Sequence, residues 1–196
     1  MIAAPALLGQ TFSATFQNIT SSLTNIADAA GSTANGLSWG FLIAETGSSI
    51  GAPLATDLGI STVDGSELAD GLIFFEGGIT GNAIGFDAGP GAILDSGTID
   101  YSAFSDIDAG NPFALIWFDR AFAAGDTLQV GDAYGLLENP AFVVPPDGTS
   151  LQDFSGLFAG ADEIRPAALL VQPIPEPSSA LLVGIASLGL LRRRRS

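Results

Sequence analysis

Two stretches of the chain alternate bulky with small or polar residues at a period of two. Between Thr11 and Asn18, Phe12, Ala14 and Phe16 fall on one side and Thr11, Ser13, Thr15 and Gln17 on the other. That spacing marks a half-buried strand. Leu37 to Glu45 repeats it, with Trp39, Phe41 and Ile43 at odd positions. Phe113 to Phe118 is apolar on both faces and reads as a central strand covered from both sides. Gly71–Glu76, Asp126–Gly131, Ala133–Leu137, Ala141–Val144 and Ala167–Val171 read as further strands, with short segments around Ile84, Ile93 and Ile99–Tyr101. Asn111-Pro112 and Pro145-Pro146-Asp147-Gly148 punctuate the run, and residues 46–70 read as loop. No amphipathic helical pattern precedes residue 178. The expected body is therefore all-β, an antiparallel β-sandwich or jelly-roll-like domain over residues 11–172.

The end of the chain obeys another rule. Pro173, Pro175 and Pro177 lack backbone donors and hold φ near −65°, so 173–179 is expected to be an extended linker outside any sheet. After Ser178 and Ser179, which suit a helix start, comes an apolar run that includes Ala180, Leu181, Leu182, Val183, Leu188, Leu190 and Leu191. Arg192, Arg193, Arg194 and Arg195 close it. A helix over 180–191 reaches only ~18 Å, against a bilayer core of roughly 30 Å. Such a span fits by local thinning and by arginines that snorkel, and the four guanidinium groups keep that end on the cytoplasmic side. A terminal helix packed on a soluble domain would show a polar face, and here only Ser187 is polar. Residues 180–196 thus read as a short hydrophobic helix serving as a membrane anchor.

Charge sharpens the division. Residues 1–174 hold 20 Asp and Glu against two arginines, Arg120 and Arg165, a net of −18, and the chain has no lysine. A surface of this sign repels nucleic acid, which needs a basic footprint. The missing residue types also limit chemistry. With no His, Cys or Lys, the chain cannot build a Ser-His-Asp triad, a cysteine dyad, a lysine Schiff base or a histidine or thiolate zinc site. Paired carboxylates remain available for glycoside hydrolysis, but so many acids make that signal unspecific. No enzyme is expected. The one cofactor the residues suggest is calcium, because Asp106 and Asp108 stand two residues apart beside Gly110, as one edge of a calcium loop would. The further ligands of an EF-hand are missing, and a solvated acidic turn explains the same residues. Trp39, Trp117, Tyr101 and Tyr134 suggest a sugar-stacking platform, but the two tryptophans sit in the most apolar strands and core packing is the preferred reading.

The tail resembles the PEP-CTERM sorting signal of exported bacterial proteins. Pro175-Glu176-Pro177, the short apolar run and the arginine cluster carry the likeness, over residues 173–196. What it implies is recognition by an exosortase, a membrane-embedded transpeptidase, at the bacterial inner membrane. Processing and placement at the cell surface or in a polysaccharide-rich extracellular matrix would come after. An exported chain is expected to start with a signal peptide. Residues 1–10 offer Ala4-Pro5-Ala6 but no basic n-region, and read as the remnant of a longer signal with Met1 internal to it. The alternative function is a secreted, calcium-assisted carbohydrate-binding module.

Overall fold

A computed structural model describes residues 10–16, 25–32, 37–55, 60–61, 65–78, 93, 95–122, 126–146, 152–154, 157 and 164–174. These residues form β1 (Thr11–Thr15), β2 (Ile26–Ala27), β3 (Trp39–Ala44), β4 (Leu54–Ala55) and β5 (Ile60–Ser61). Next come β6 (Ser66–Ala69), β7 (Leu72–Gly78), β8 (Asp95–Asp100), β9 (Pro112–Phe118) and β10 (Thr127–Leu128). The last five are β11 (Ala133–Val143), β12 (Gln152–Asp153), β13 (Arg165–Pro166), β14 (Leu169–Leu170) and β15 (Gln172–Pro173). No α-helix occurs among the described residues, and the fold is all-β around a curled antiparallel sheet. The C-terminal helix expected over 180–191 lies outside the described residues, as do 1–9 and the segment around Ile84.

The main sheet has six strands in the order β14-β11-β9-β3-β7-β6. Its alternating side chains feed two separate interiors. Trp39, Phe41 and Ile43 of β3, Ile73 and Phe75 of β7, and Phe113, Leu115 and Trp117 of β9 point into the first. Phe12, Ala14 and Phe16 of the N-terminal strand region meet them there, with Ile99 of β8 and Phe154. The opposite face turns Leu42, Phe74, Ile116, Phe118 and Tyr134 into a second interior, closed by Ala55, Leu68, Phe122, Leu128 and Val171. Every residue of β3 is buried, and so is all of β9 after Pro112. An antiparallel strand normally wets one face; here both faces are covered, which is why Phe113 to Phe118 has no polar position.

The first interior is largely aromatic. Phe113 stacks on Phe142 with ring centroids 5.1 Å apart and planes inclined by 2°. Phe16 stacks on Phe154 at 5.9 Å, and Trp39 leans on Phe41 at 5.5 Å. Two glycines make room for rings. Gly135 stands directly opposite Trp117 in the β11–β9 ladder, and a Cβ there would run into the indole. Gly40 lies beneath Phe74 and the backbone carbonyl of Phe75, where β3 shifts register against β7.

Three strand expectations are corrected. Ala133–Leu137 and Ala141–Val144 are not a pair of strands but one, β11, of 11 residues. Asn139-Pro140 makes a bulge between Glu138 and Val143, where the Asn139 Oδ1 accepts the Ala141 N–H at 2.9 Å. Asparagine thereby supplies a partner that the ladder withholds. Residues 46–70 are not simply loop, because Ser66–Ala69 pairs with β7. The turn at Asp70-Gly71 needs φ +69° at the glycine, and the Glu67 carboxylate accepts the Gly71 N–H at 3.0 Å. Nor is all pairing antiparallel: β12, β13 and β15 run parallel to β1, β2 and β4. These parallel pairs are two residues long and are made by the chain returning after residue 151.

Candidate functional site

Residues 164–174 form a strap across the edge of the main sheet. Arg165–Pro166 runs beside Ile26–Ala27, the Ala167 N–H donates to the Ala27 carbonyl at 3.1 Å, and Ala167 enters the first interior. Leu169–Leu170 then pairs with Ala133–Tyr134 as the edge strand. Val171 drops into the second interior, while its N–H donates to the Asp132 carbonyl and its carbonyl accepts the Gly131 N–H, both at 3.0 Å. Gln172–Pro173 ends the strap beside Leu54–Ala55. One short segment thus plugs both interiors.

Pro173 is therefore part of a sheet, against expectation. Its neighbours make the bonds that it cannot. The Gln172 N–H donates to the Pro53 carbonyl at 3.4 Å and the Ile174 N–H to the Ala55 carbonyl at 3.0 Å. A proline whose missing donor faces away from the partner strand is tolerated at such an edge. The chain is held to the body as far as Ile174, one residue before Pro175. The sorting residues Pro175, Glu176 and Pro177, the apolar residues 180–191 and Arg192 to Arg195 lie outside the described residues.

Asp106 and Asp108 both stand exposed on the loop before β9. Buried Asn111 organises that loop: its Nδ2 donates to the Ala44 carbonyl at 2.7 Å and to the Asp106 carbonyl at 3.4 Å. Thr46 completes the tie, its N–H donating to the Asp106 carbonyl at 2.7 Å and its hydroxyl to Asp108 Oδ2 at 3.2 Å. The Asp106 carbonyl and one Asp108 oxygen are thus engaged in holding the loop to the end of β3. Among the described residues no three acidic side chains gather as a metal site would need. Asn111→Ala would leave the Ala44 carbonyl buried without its donor, and we expect a loss of about 1–3 kcal/mol. Urea unfolding monitored by tryptophan fluorescence checks this.

The sugar platform is not formed. Trp39, Trp117, Tyr101 and Tyr134 are each 1–2% exposed, with Tyr134 in the second interior and the other three in the first. The Trp117 Nε1–H donates to the Ala27 carbonyl at 3.2 Å. Burial pushes the Tyr134 phenol above its ordinary pKa, so it stays neutral at physiological pH.

Sequence reading passed over one polar cluster. Arg120 bridges to Asp132 Oδ2 at 3.0 Å, donates to the Thr127 carbonyl at 3.0 Å and lies 4.3 Å from the Phe122 ring centroid. Asp132 Oδ2 also accepts the Gln129 N–H at 2.8 Å, and Asp119 accepts the Ala29 N–H at 2.7 Å. Arg120, Asp119, Phe122 and Asp132 line a cleft of about 250 Å³. Arg120 is the one cation among the cleft's lining residues, and its bonds tie the β9 and β10 ends together. In an exposed pair this is worth little beyond that bracing.

The strap's exit and the segment beyond it are thus the part of the chain with a functional signature. Residues 173–195 match the PEP-CTERM protein-sorting motif. No curated protein and no solved structure matches the chain. The motif is a signal read by a membrane-embedded exosortase, and it implies export with transient membrane association. It accounts for the C-terminal segment and carries no family for the body before it.

Proposed function

We propose that this chain is an exported, non-enzymatic surface or extracellular-matrix protein, with a β-sandwich body and a C-terminal segment that is both address and temporary anchor. The observation that carries the reading is the sorting motif over residues 173–195. Pro175, Glu176 and Pro177 serve the processing enzyme. The apolar run 180–191 holds the chain in the bacterial inner membrane, and Arg192 to Arg195 fix its inner end. Release then leaves the acidic body at the surface or within extracellular polysaccharide. Two features support a structural role over catalysis. The chain has no His, Cys or Lys, and its large aromatics are spent on the interior. Calcium at Asp106 and Asp108, or a glycan ligand, has no specific support beyond the acidity of the surface.

Replacing Arg192 to Arg195 with serine tests the assignment. A charge at the bilayer centre costs ~2.5–3.5 kcal/mol on insertion scales, so four arginines bar the end from crossing and four serines do not. We expect the variant's C-terminus to slip across and most of the processed product to disappear from fractionated cells. Unchanged processing and location would remove topology from the role of these residues.

A further inference from the structure

We propose that the exposed aliphatic residues of the strap, Ile164, Leu169, Leu170 and Ile174, rest on the lipid surface while the anchor is in place. This rests on the anchor reading above. All four are large aliphatic residues, 45–53% exposed, within an eleven-residue stretch. That stretch contains no acid and one arginine, Arg165, in a body of net −18. Asp162 and Glu163 precede it directly, so contact with lipid rests on the aliphatic side chains rather than on charge.

Chain length names the occupant. Six Cα steps separate Ile174 from Ala180. Whatever conformation they take, they span at most ~20–22 Å at 3.3–3.6 Å each. Ile174 is itself fastened to Ala55, so the leash begins at the body's own surface. As a helix, the apolar run would span only ~18 Å of a ~30 Å hydrocarbon core, a shortfall that favours drawing the preceding residues into the interface. The headgroup layer takes up roughly 5–7 Å per leaflet. A tethered surface this close meets the lipid at high effective concentration, so weak apolar contacts suffice. The strap's exposed aliphatic side chains therefore reach the headgroups, with Leu169 and Leu170 presented at the sheet edge.

The chain has no cysteine, so one introduced thiol carries one probe. The full chain is placed in phosphatidylcholine nanodiscs with a nitrobenzoxadiazole label on Leu170→Cys, on Ile174→Cys or, as the body reference, on Ala103→Cys in the exposed turn after β8. Nitroxide-bearing lipid is the quencher, and circular dichroism confirms that each variant is folded. Quenching several-fold stronger at 170 and 174 than at 103 is expected. Equal quenching at all three sites would overturn the lipid contact and leave the strap to the processing enzyme or a second copy. Should the full chain fail to enter nanodiscs at all, the anchor reading falls first, and this inference with it.

Discussion

A chain ended after residue 163 is expected not to fold, whereas one ended after residue 174 keeps the whole body. The eleven residues in question contribute only short strands, yet they touch both interiors. Ala167 fills a place among Ile26, Trp117 and their neighbours, and Val171 one beside Ala55, Leu128 and Tyr134. Their removal also strips the edge strand from Ala133–Tyr134 and opens the Gly131, Asp132, Pro53 and Ala55 backbone bonds. Each backbone bond lost to water costs ~0.5–1.5 kcal/mol net. Together with the opening of both interiors to water, the loss is comparable with the 5–15 kcal/mol or so that holds a domain folded. Near-UV circular dichroism and thermal melts of the two truncations decide it. A cooperative melt for the chain ended at 163, at a midpoint close to that of the longer one, would show that the strap is decoration. The consequence for function is direct. On the proposed function, processing must cut beyond Ile174, or the released protein would unfold.

Gly135→Ala should destabilise the body by about 1–3 kcal/mol, as overpacking does, and Trp117→Ala by about 3–5 kcal/mol. The two changes share one cause. β11 and β9 face each other at Gly135 and Trp117, and the indole lies across the glycine on its way to the Ala27 carbonyl. A methyl group at 135 forces the ring out of its slot and breaks that bond. With the ring already gone, the same methyl has a void to occupy. Gly135→Ala is therefore expected to cost little, or to stabilise, in the Trp117→Ala background, a coupling that a double-mutant cycle in urea measures. At roughly 2–4 °C per kcal/mol for a domain of this size, the single tryptophan change lowers the melting midpoint by about 6–20 °C. Additive effects of the two substitutions would mean that the glycine serves some other need.

Much of the main sheet, and β1 outside it, was legible in the sequence because side-chain alternation is a direct readout of burial. Phe12, Ala14 and Phe16, and Trp39, Phe41 and Ile43, point where their spacing says they should. The all-apolar stretch from Phe113 to Phe118 is covered on both faces. What escaped was set by partners far along the chain. Ser66–Ala69 reads as acidic loop until β7 is beside it and the Glu67 carboxylate caps Gly71. The break expected between Leu137 and Ala141 is absorbed by a bulge, because the Asn139 side chain replaces a ladder bond. Pro173 joins a sheet because Gln172 and Ile174 carry the donors. Composition cannot show any of these, since each depends on which backbone group faces the neighbour. The candidate site divides the same way. The sorting segment is readable from order alone, as proline motif, apolar run and arginines. The strap that presents it has no local signature, because Ala167 and Val171 reveal their role only against two interiors assembled from distant strands.

The sorting assignment is tested most directly by intact mass and C-terminal peptide analysis of the protein recovered from its own cells. A product that has lost Arg192 to Arg195, with its new end at or near Pro175-Glu176-Pro177 and the strap retained, is the expected result. A full-length polypeptide found in the cytosol, ending in Ser196 and free of membrane, would contradict it.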